Sequence, residues 1–117
     1  MSKRYEEKRR FLRLTAPVEL EYTLENGDKI NRAVSKNLSA LGISFTSRDK
    51  IATDTIMAIK LKVPNLKNPV HMTGKVVWAQ ALSAEDETTL DIGVEFIQIE
   101  EDNKNTFLKY LCDLIYG

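Results

Sequence analysis

One cysteine and one histidine are all that this 117-residue chain contains of those two residue types. A single cysteine, Cys112, closes no intramolecular disulfide, so a reducing compartment is the simpler expectation. A single histidine, His71, has no second histidine to complete a metal-ligand set, and it reads as a surface residue. No apolar run approaches the ~20 residues that a membrane-spanning helix needs. The charged N-terminus carries no apolar signal core, so neither export nor a membrane partner is expected, and a cytoplasmic location is. Internal repeats and low-complexity tracts are absent. A catalytic constellation is missing too. Ser39 has no evident base in the pattern, and Asp49, Asp54, Asp86 and Asp91 form no paired-carboxylate signature. Cys112 falls among apolar helical positions and reads as a small core hydrophobe. An enzyme is therefore not expected.

What is present suits one domain with a single core. The apolar fraction of 43% and charged fraction of 29% are those of an ordinary globular protein. The net charge of zero hides an asymmetry. Residues 1–13 carry +4, from Lys3, Arg4, Lys8, Arg9, Arg10 and Arg13 against Glu6 and Glu7, and the remainder carries −4. A basic arm on an acidic body seeks anions near its own domain. Taken on charge alone, the same arm also reads as a solvated, partly disordered terminus. The expected division is an arm over residues 1–14 and a folded domain over residues 15–117.

The folded part reads mainly as strands. Val18, Leu20, Tyr22 and Leu24 alternate with Glu19, Glu21, Thr23 and Glu25, the period of a half-buried strand. Asn26-Gly27 tolerates the positive φ angles of a tight hairpin turn, and residues 29–36 would return. Leu41, Ile43 and Phe45 mark a third strand. Ile59, Leu61 and Val63 mark a fourth, closed by a proline-bounded turn over residues 64–69. Val70, Met72, Gly74, Val76 and Trp78 line one face of a fifth, giving Trp78 a packing role by default, with ligand stacking as the lesser alternative. Leu90, Ile92, Val94 and Phe96 line a sixth, after a polar, acidic loop over residues 83–89. The period then changes. Phe107, Leu108, Leu111, Cys112, Leu114 and Ile115 recur at helical spacing, with Asp102 or Asn103 as the cap. About six strands and one amphipathic helix suggest a small antiparallel barrel with a helix over one opening, although periodicity alone does not separate a barrel from a sandwich.

Two motifs carry the functional signal. Arg9 and Arg13 stand four apart, which places both on one helical face about 6 Å apart, or on one strand face about 13 Å apart. The planar guanidinium fork grips phosphate and also matches the O6/N7 edge of guanine. Downstream comes Asn37-x-Ser39-x-x-Gly42. Asn37 both donates and accepts, Ser39 supplies a compact hydroxyl, and Gly42 permits close approach or a positive φ. The second motif also reads simply as a turn between strands. Arg10 lies inside the first motif and offers another contact.

Together the two motifs resemble the PilZ family of cyclic di-GMP receptors. The likeness covers nearly the whole chain. Residues 9–14 look like the family's arginine linker, and residues 37–45 look like its second motif with the following strand. Residues 74–78 and 93–96 resemble family strand segments. The resemblance implies a mainly β fold: a six-stranded antiparallel β-barrel with a C-terminal α-helix and a flexible basic N-terminal arm. It implies that Arg9 and Arg13 contact phosphate and guanine, that Asn37 and Ser39 contact a guanine edge, and that Gly42 allows close approach. Asp is frequent in the family at the first position of the second motif, and Asn37 is an accepted variant. The residue before the first arginine bears on stoichiometry. Lys8 could support a second, stacked ligand or be solvated. The resemblance further implies a receptor without a cofactor that relays the bound messenger to an effector protein, in motility, polysaccharide or biofilm control. A nucleotide-independent adaptor of the same fold is the alternative. A nucleic-acid binder is disfavoured by the acidic body and the scarcity of aromatics on a basic face. The arm and the helix could both support a homodimer.

Overall fold

The structure, a computed structural model, describes residues 17–64 and 66–116, with side chains described within the terminal helix for residues 105–113. Lys8, Arg9, Arg10 and Arg13 lie outside the described residues. The chain runs through β1 (Glu19–Leu24), β2 (Asn31–Leu38), β3 (Gly42–Ser47), β4 (Ile56–Lys62), β5 (Val70–Ala81) and β6 (Leu90–Ile99) into α1 (Glu101–Tyr116). The strands close into a barrel in the order β1-β2-β3-β6-β5-β4, and each neighbouring pair is antiparallel. Closure comes from β1 pairing with β4 over Glu19↔Lys62 to Leu24↔Met57. A closed ladder leaves no sheet edge, which settles the choice between barrel and sandwich.

The period-two residues fill the barrel. Leu20, Leu38, Ile43, Phe45, Met57, Ile59, Leu61, Val76, Ile92 and Val94 are all essentially inaccessible. Tyr22 and Phe45 meet inside with ring centroids 5.0 Å apart. The helix α1 packs onto the barrel core. Phe107 and Leu111, one turn apart, are buried, and Phe107 meets Phe96 edge to face at 5.8 Å. Truncating a buried phenylalanine of this kind costs about 3–5 kcal/mol.

Three bulges bend the wall. Each inserts one residue where two oppose one across the ladder: Lys36 in β2, Val77 in β5 and Ile97 in β6. Bulges sharpen strand curvature, which a small barrel needs in order to close. They also change which face a following side chain occupies. Val76 pairs with Val94 and Trp78 pairs with Gly93, so Val77 is the extra residue. Trp78 therefore leaves the core stripe that simple alternation assigned to it and lies on the outer wall.

Other expectations also need correction. No described glycine has a positive φ, so Asn26-Gly27 does not form the tight hairpin turn. Gly27 N–H instead donates to the Leu24 carbonyl at 2.9 Å, which puts glycine at the last position of an ordinary turn within a longer connection. Leu41 precedes β3 and is 53% exposed rather than packed. The helix begins at Glu101, so Asp102 and Asn103 fall inside its first turn and do not precede it. Cys112 is exposed, because the helix buries the stripe through Phe107 and Leu111 and turns the next position outward. The loop over residues 83–89 is polar as expected, and Asp86 organises it. Its carboxylate accepts from Thr88 Oγ1 at 2.8 Å and from Thr89 N–H at 3.2 Å, and these bonds hold its pKa below the usual range.

Candidate ligand-binding face

The second motif lies where β2 turns into β3. Ser39 is buried and holds the turn. Its Oγ accepts from Leu41 N–H at 3.1 Å and Gly42 N–H at 3.2 Å, and its own N–H donates to the Gly42 carbonyl at 3.0 Å. Serine suits this because a short hydroxyl reaches backbone donors two and three residues on. Gly42 opens β3 directly against β6. A Cβ at this position would run into the Val94 carbonyl. Close approach is thus what Gly42 provides, and the neighbour that comes close is a strand. Both residues realise the turn reading of the motif.

Asn37 does something else. The bulge at Lys36 sets Asn37 opposite Ser44, and its Nδ2 donates to Ser44 Oγ at 3.3 Å. The ladders extend this pair into a row around the barrel. Asn37 pairs with Ser44, Ser44 with Gly93, and Gly93 with Trp78. Ile43 and Phe45 on either side of Ser44 point inward, so the row faces outward. Ser44 is nonetheless only 2% exposed. Trp78 lays its indole over Gly93, in space that any side chain there would need. Its Nε1 is buried and has no hydrogen-bond partner among the described residues. An orphaned donor of this kind calls for a partner.

The face is polar but not cationic. The cations nearest in register are engaged with carboxylates: Lys36 with Asp91 at 3.3 Å and Lys75 with Asp54 at 4.0 Å. Among the described residues the wall therefore offers amide, hydroxyl and aromatic groups, with its nearest lysines facing carboxylates. Grooves of about 260 Å³ and 490 Å³ lie elsewhere on the barrel, the first lined by Glu21, Lys60 and His71 and the second by Tyr22, Arg32 and Arg48. Among the described residues no group of His, Cys, Asp or Glu could hold a metal ion, and no helix is long and apolar enough to cross a membrane.

The structure thus brings Asn37, Ser39 and Gly42 to one corner of the wall, with Asn37 facing out and the other two building the corner. Sequence reasoning missed Ser44 as its neighbour and misplaced Trp78. A polar residue between two core positions, Ile43 and Phe45, was the available signal for Ser44. For Trp78 there was none, because a bulge leaves no compositional mark.

The structure is a closed antiparallel barrel carrying a C-terminal helix, with a polar outer face built beside the β2–β3 turn. The family model for the PilZ domain matches residues 7–112, and the chain belongs to that family. Among solved structures it resembles K. pneumonia MrkH, with a TM-score of 0.71 and 17% identity, covering 90% of this chain and 47% of that one. The K. pneumonia MrkH–c-di-GMP complex gives a TM-score of 0.61 at 18% identity, over 87% of this chain and 48% of that one. The Bacillus subtilis inhibitor of motility (MotI/DgrA) gives 0.65 at 16% identity, over 81% and 45%. At such identities the likeness is one of fold, and the chain spans just under half the length of each of these structures. No curated protein matches the chain.

Proposed function

We propose that the chain is a cyclic di-GMP receptor whose ligand lies on the Asn37–Ser44–Gly93–Trp78 face beneath the N-terminal arm. The observation that carries this reading is the division of chemistry. The wall presents neutral polar groups with its nearby cations already engaged, while the sequence keeps Arg9, Arg13, Arg10 and Lys8 together on the arm. A cyclic dinucleotide needs both kinds of group: base-edge contacts from the wall and phosphate contacts from forked guanidinium donors. Asn37 reads a guanine edge. Ser39 and Gly42 shape the corner that presents it, the Ser39 hydroxyl donating to the Gly42 carbonyl at 3.5 Å. Arg9 and Arg13 hold phosphate and guanine. Engaging the ligand draws the arm onto the barrel, and the new surface recruits an effector protein in the cytoplasm. MrkH, solved with this ligand, supports the reading at the level of fold.

One observation favours a nucleotide-independent adaptor of the same fold. Ser39 and Gly42 are each accounted for by the turn alone. Titration calorimetry of cyclic di-GMP, beside GTP and cyclic GMP, separates the two readings. The receptor binds the dinucleotide selectively and loses affinity in both Arg9→Ala and Arg13→Ala. An adaptor gives no heat and no rise in melting temperature, since any ligand of the native state must raise stability.

A further inference from the structure

The groove of about 490 Å³ carries charge opposite in sign to the body around it. Beyond residue 13 the chain carries −4, yet this groove is lined by three cations, Lys29, Arg32 and Arg48, against one carboxylate, Asp49. The charges flanking the two walls, Asp28 and Lys50, cancel. We propose that the groove docks an acidic peptide segment of a partner protein, at a site separate from the Asn37 corner.

The cations are available for this. Arg48 is exposed and has no ion pair or hydrogen-bond partner among the described residues. The Lys29 side chain is 78% exposed, and its 4.0 Å contact with Asp49 is too long for a hydrogen bond. The Arg32 side chain is 82% exposed and meets Glu21 through Nε at 3.5 Å, which leaves the Nη1/Nη2 edge of its fork for another carboxylate. Both walls are also braced. Ser47 Oγ accepts from Asp49 N–H at 3.0 Å and donates to the Asp49 carbonyl at 3.2 Å, fixing the backbone that carries Arg48. On the other wall, Asn31 Nδ2 donates to the Lys29 carbonyl at 3.4 Å and to the Tyr22 carbonyl at 3.5 Å. Backbone that is already ordered lowers the entropy cost of binding.

The shape favours a peptide over a compact anion such as phosphate. Ile30 is 59% exposed and lines both this groove and its neighbour of about 260 Å³, so the two share an apolar edge. An extended segment can set an apolar side chain on Ile30 and carboxylates on the forks of Arg32 and Arg48. The place is also distinct from the motif corner. Arg32 and Leu38 stand six residues apart on β2, about 20 Å along the strand, so a peptide in the groove leaves Asn37 open.

The test is fluorescence anisotropy of the whole chain at physiological salt, without cyclic di-GMP. The probe is a fluorescein-labelled peptide of glutamates around a central leucine. Its glutamine counterpart should bind about tenfold more weakly or worse, the worth of one charge-assisted hydrogen bond. Arg48→Glu should lose a similar factor for the glutamate peptide. Because Arg48 is exposed and unpaired among the described residues, this variant should melt within about 2 °C of the parent. Reversing Lys3 and Arg4 to glutamate takes the arm from +4 to zero and should change peptide affinity by no more than about twofold, since the arm's charges are screened beyond about 8 Å. Amide NMR shifts on titration should centre on Asn31 and Thr46 and leave Asn37 and Leu41 in place. Equal binding of the glutamate and glutamine peptides overturns the proposal. So does a loss confined to the arm variant, which makes the arm the anion trap. Phosphatidylglycerol vesicles that bind through Arg48 while the peptide does not would also overturn it, and would put a membrane surface there. With no nucleotide present, each of these outcomes is independent of the receptor reading, which the cyclic di-GMP titration tests by itself.

Discussion

Replacing Gly42 with alanine separates two explanations for one residue. A glycine in a binding motif is readily credited with making room for the ligand. In this barrel the room is taken by β6, because an added Cβ would meet the Val94 carbonyl oxygen and carbon. Neither obstacle is a side chain that can rotate away. The carbonyl belongs to a ladder running from Gly42↔Glu95 to Ser47↔Leu90, and the next bond along, Phe96 N–H to the Leu41 carbonyl at 2.8 Å, pins the same corner. Overpacking of this kind costs about 1–3 kcal/mol, and a rigid backbone obstacle puts Gly42 near the top of that range. Alanine recovers part of the loss. Gly42 has no positive φ, so the substitution suits its backbone and restricts the unfolded chain, a gain of about 0.4–1 kcal/mol. The net loss is about 2 kcal/mol. At about 2.1 cal/mol/K per residue, 117 residues unfold with roughly 0.25 kcal/mol/K, so the melting temperature should fall by about 8 °C. Calorimetric melting without ligand measures this directly. A variant that melts with the parent but binds cyclic di-GMP poorly would refute the packing argument and return Gly42 to the ligand.

Two further outcomes follow from the same structure. Ser39→Ala leaves Leu41 N–H and the buried Gly42 N–H without their acceptor, which should cost about 1–3 kcal/mol and lower the urea midpoint with an unchanged slope. Burial raises the Tyr22 phenol above its ordinary pKa of 10.0, with the Ser47 hydroxyl opposing this and Asp49 adding to it. The unfolded chain therefore ionises first, and Tyr22's contribution is intact below about pH 10 and lost as pH climbs through the folded value. Tyr22→Phe should flatten that alkaline loss in urea midpoints, leaving the share due to Tyr110, which burial also raises. Parallel alkaline slopes in parent and variant would count against it.

Strands β1, β4 and β5 were legible because one face of each is packed and the other wetter. Glu19-Leu20-Glu21-Tyr22 and Ile59-Lys60-Leu61 announce their buried faces in composition. The helix was legible for the same reason through Phe107 and Leu111, but its start and its outward Cys112 were not, since the apolar stripe is wider in sequence than the part that touches the barrel. The bulges at Lys36, Val77 and Ile97 were invisible. An extra residue in a strand changes the face of everything after it and leaves the composition as it was. The motif marked the corner where β2 turns into β3, while the division of labour inside it required the hydrogen bonds. Ser39 looks like a contact residue in one dimension, and its role in bracing the turn shows only in three.

Gly93 tests whether the outer face is built the way its register says. A Cβ there would enter the space of the Trp78 ring carbons. Unlike the carbonyl facing Gly42, an indole can yield, by turning off the wall. Gly93→Ala should therefore cost less than Gly42→Ala, about 1 kcal/mol or about 4 °C, because a side chain moves where a ladder would otherwise break. It should also be visible. Trp78 is the chain's one tryptophan, so its emission reports this spot alone. Lifting the ring hydrates the buried Nε1 and should shift emission to longer wavelength. If the indole is part of the ligand face, cyclic di-GMP affinity falls in step with that shift, and the parent's own emission changes on titration. An unshifted spectrum with a melting loss as large as that of Gly42→Ala would mean that Gly93 faces the core, and the row from Asn37 to Trp78 would have to be redrawn.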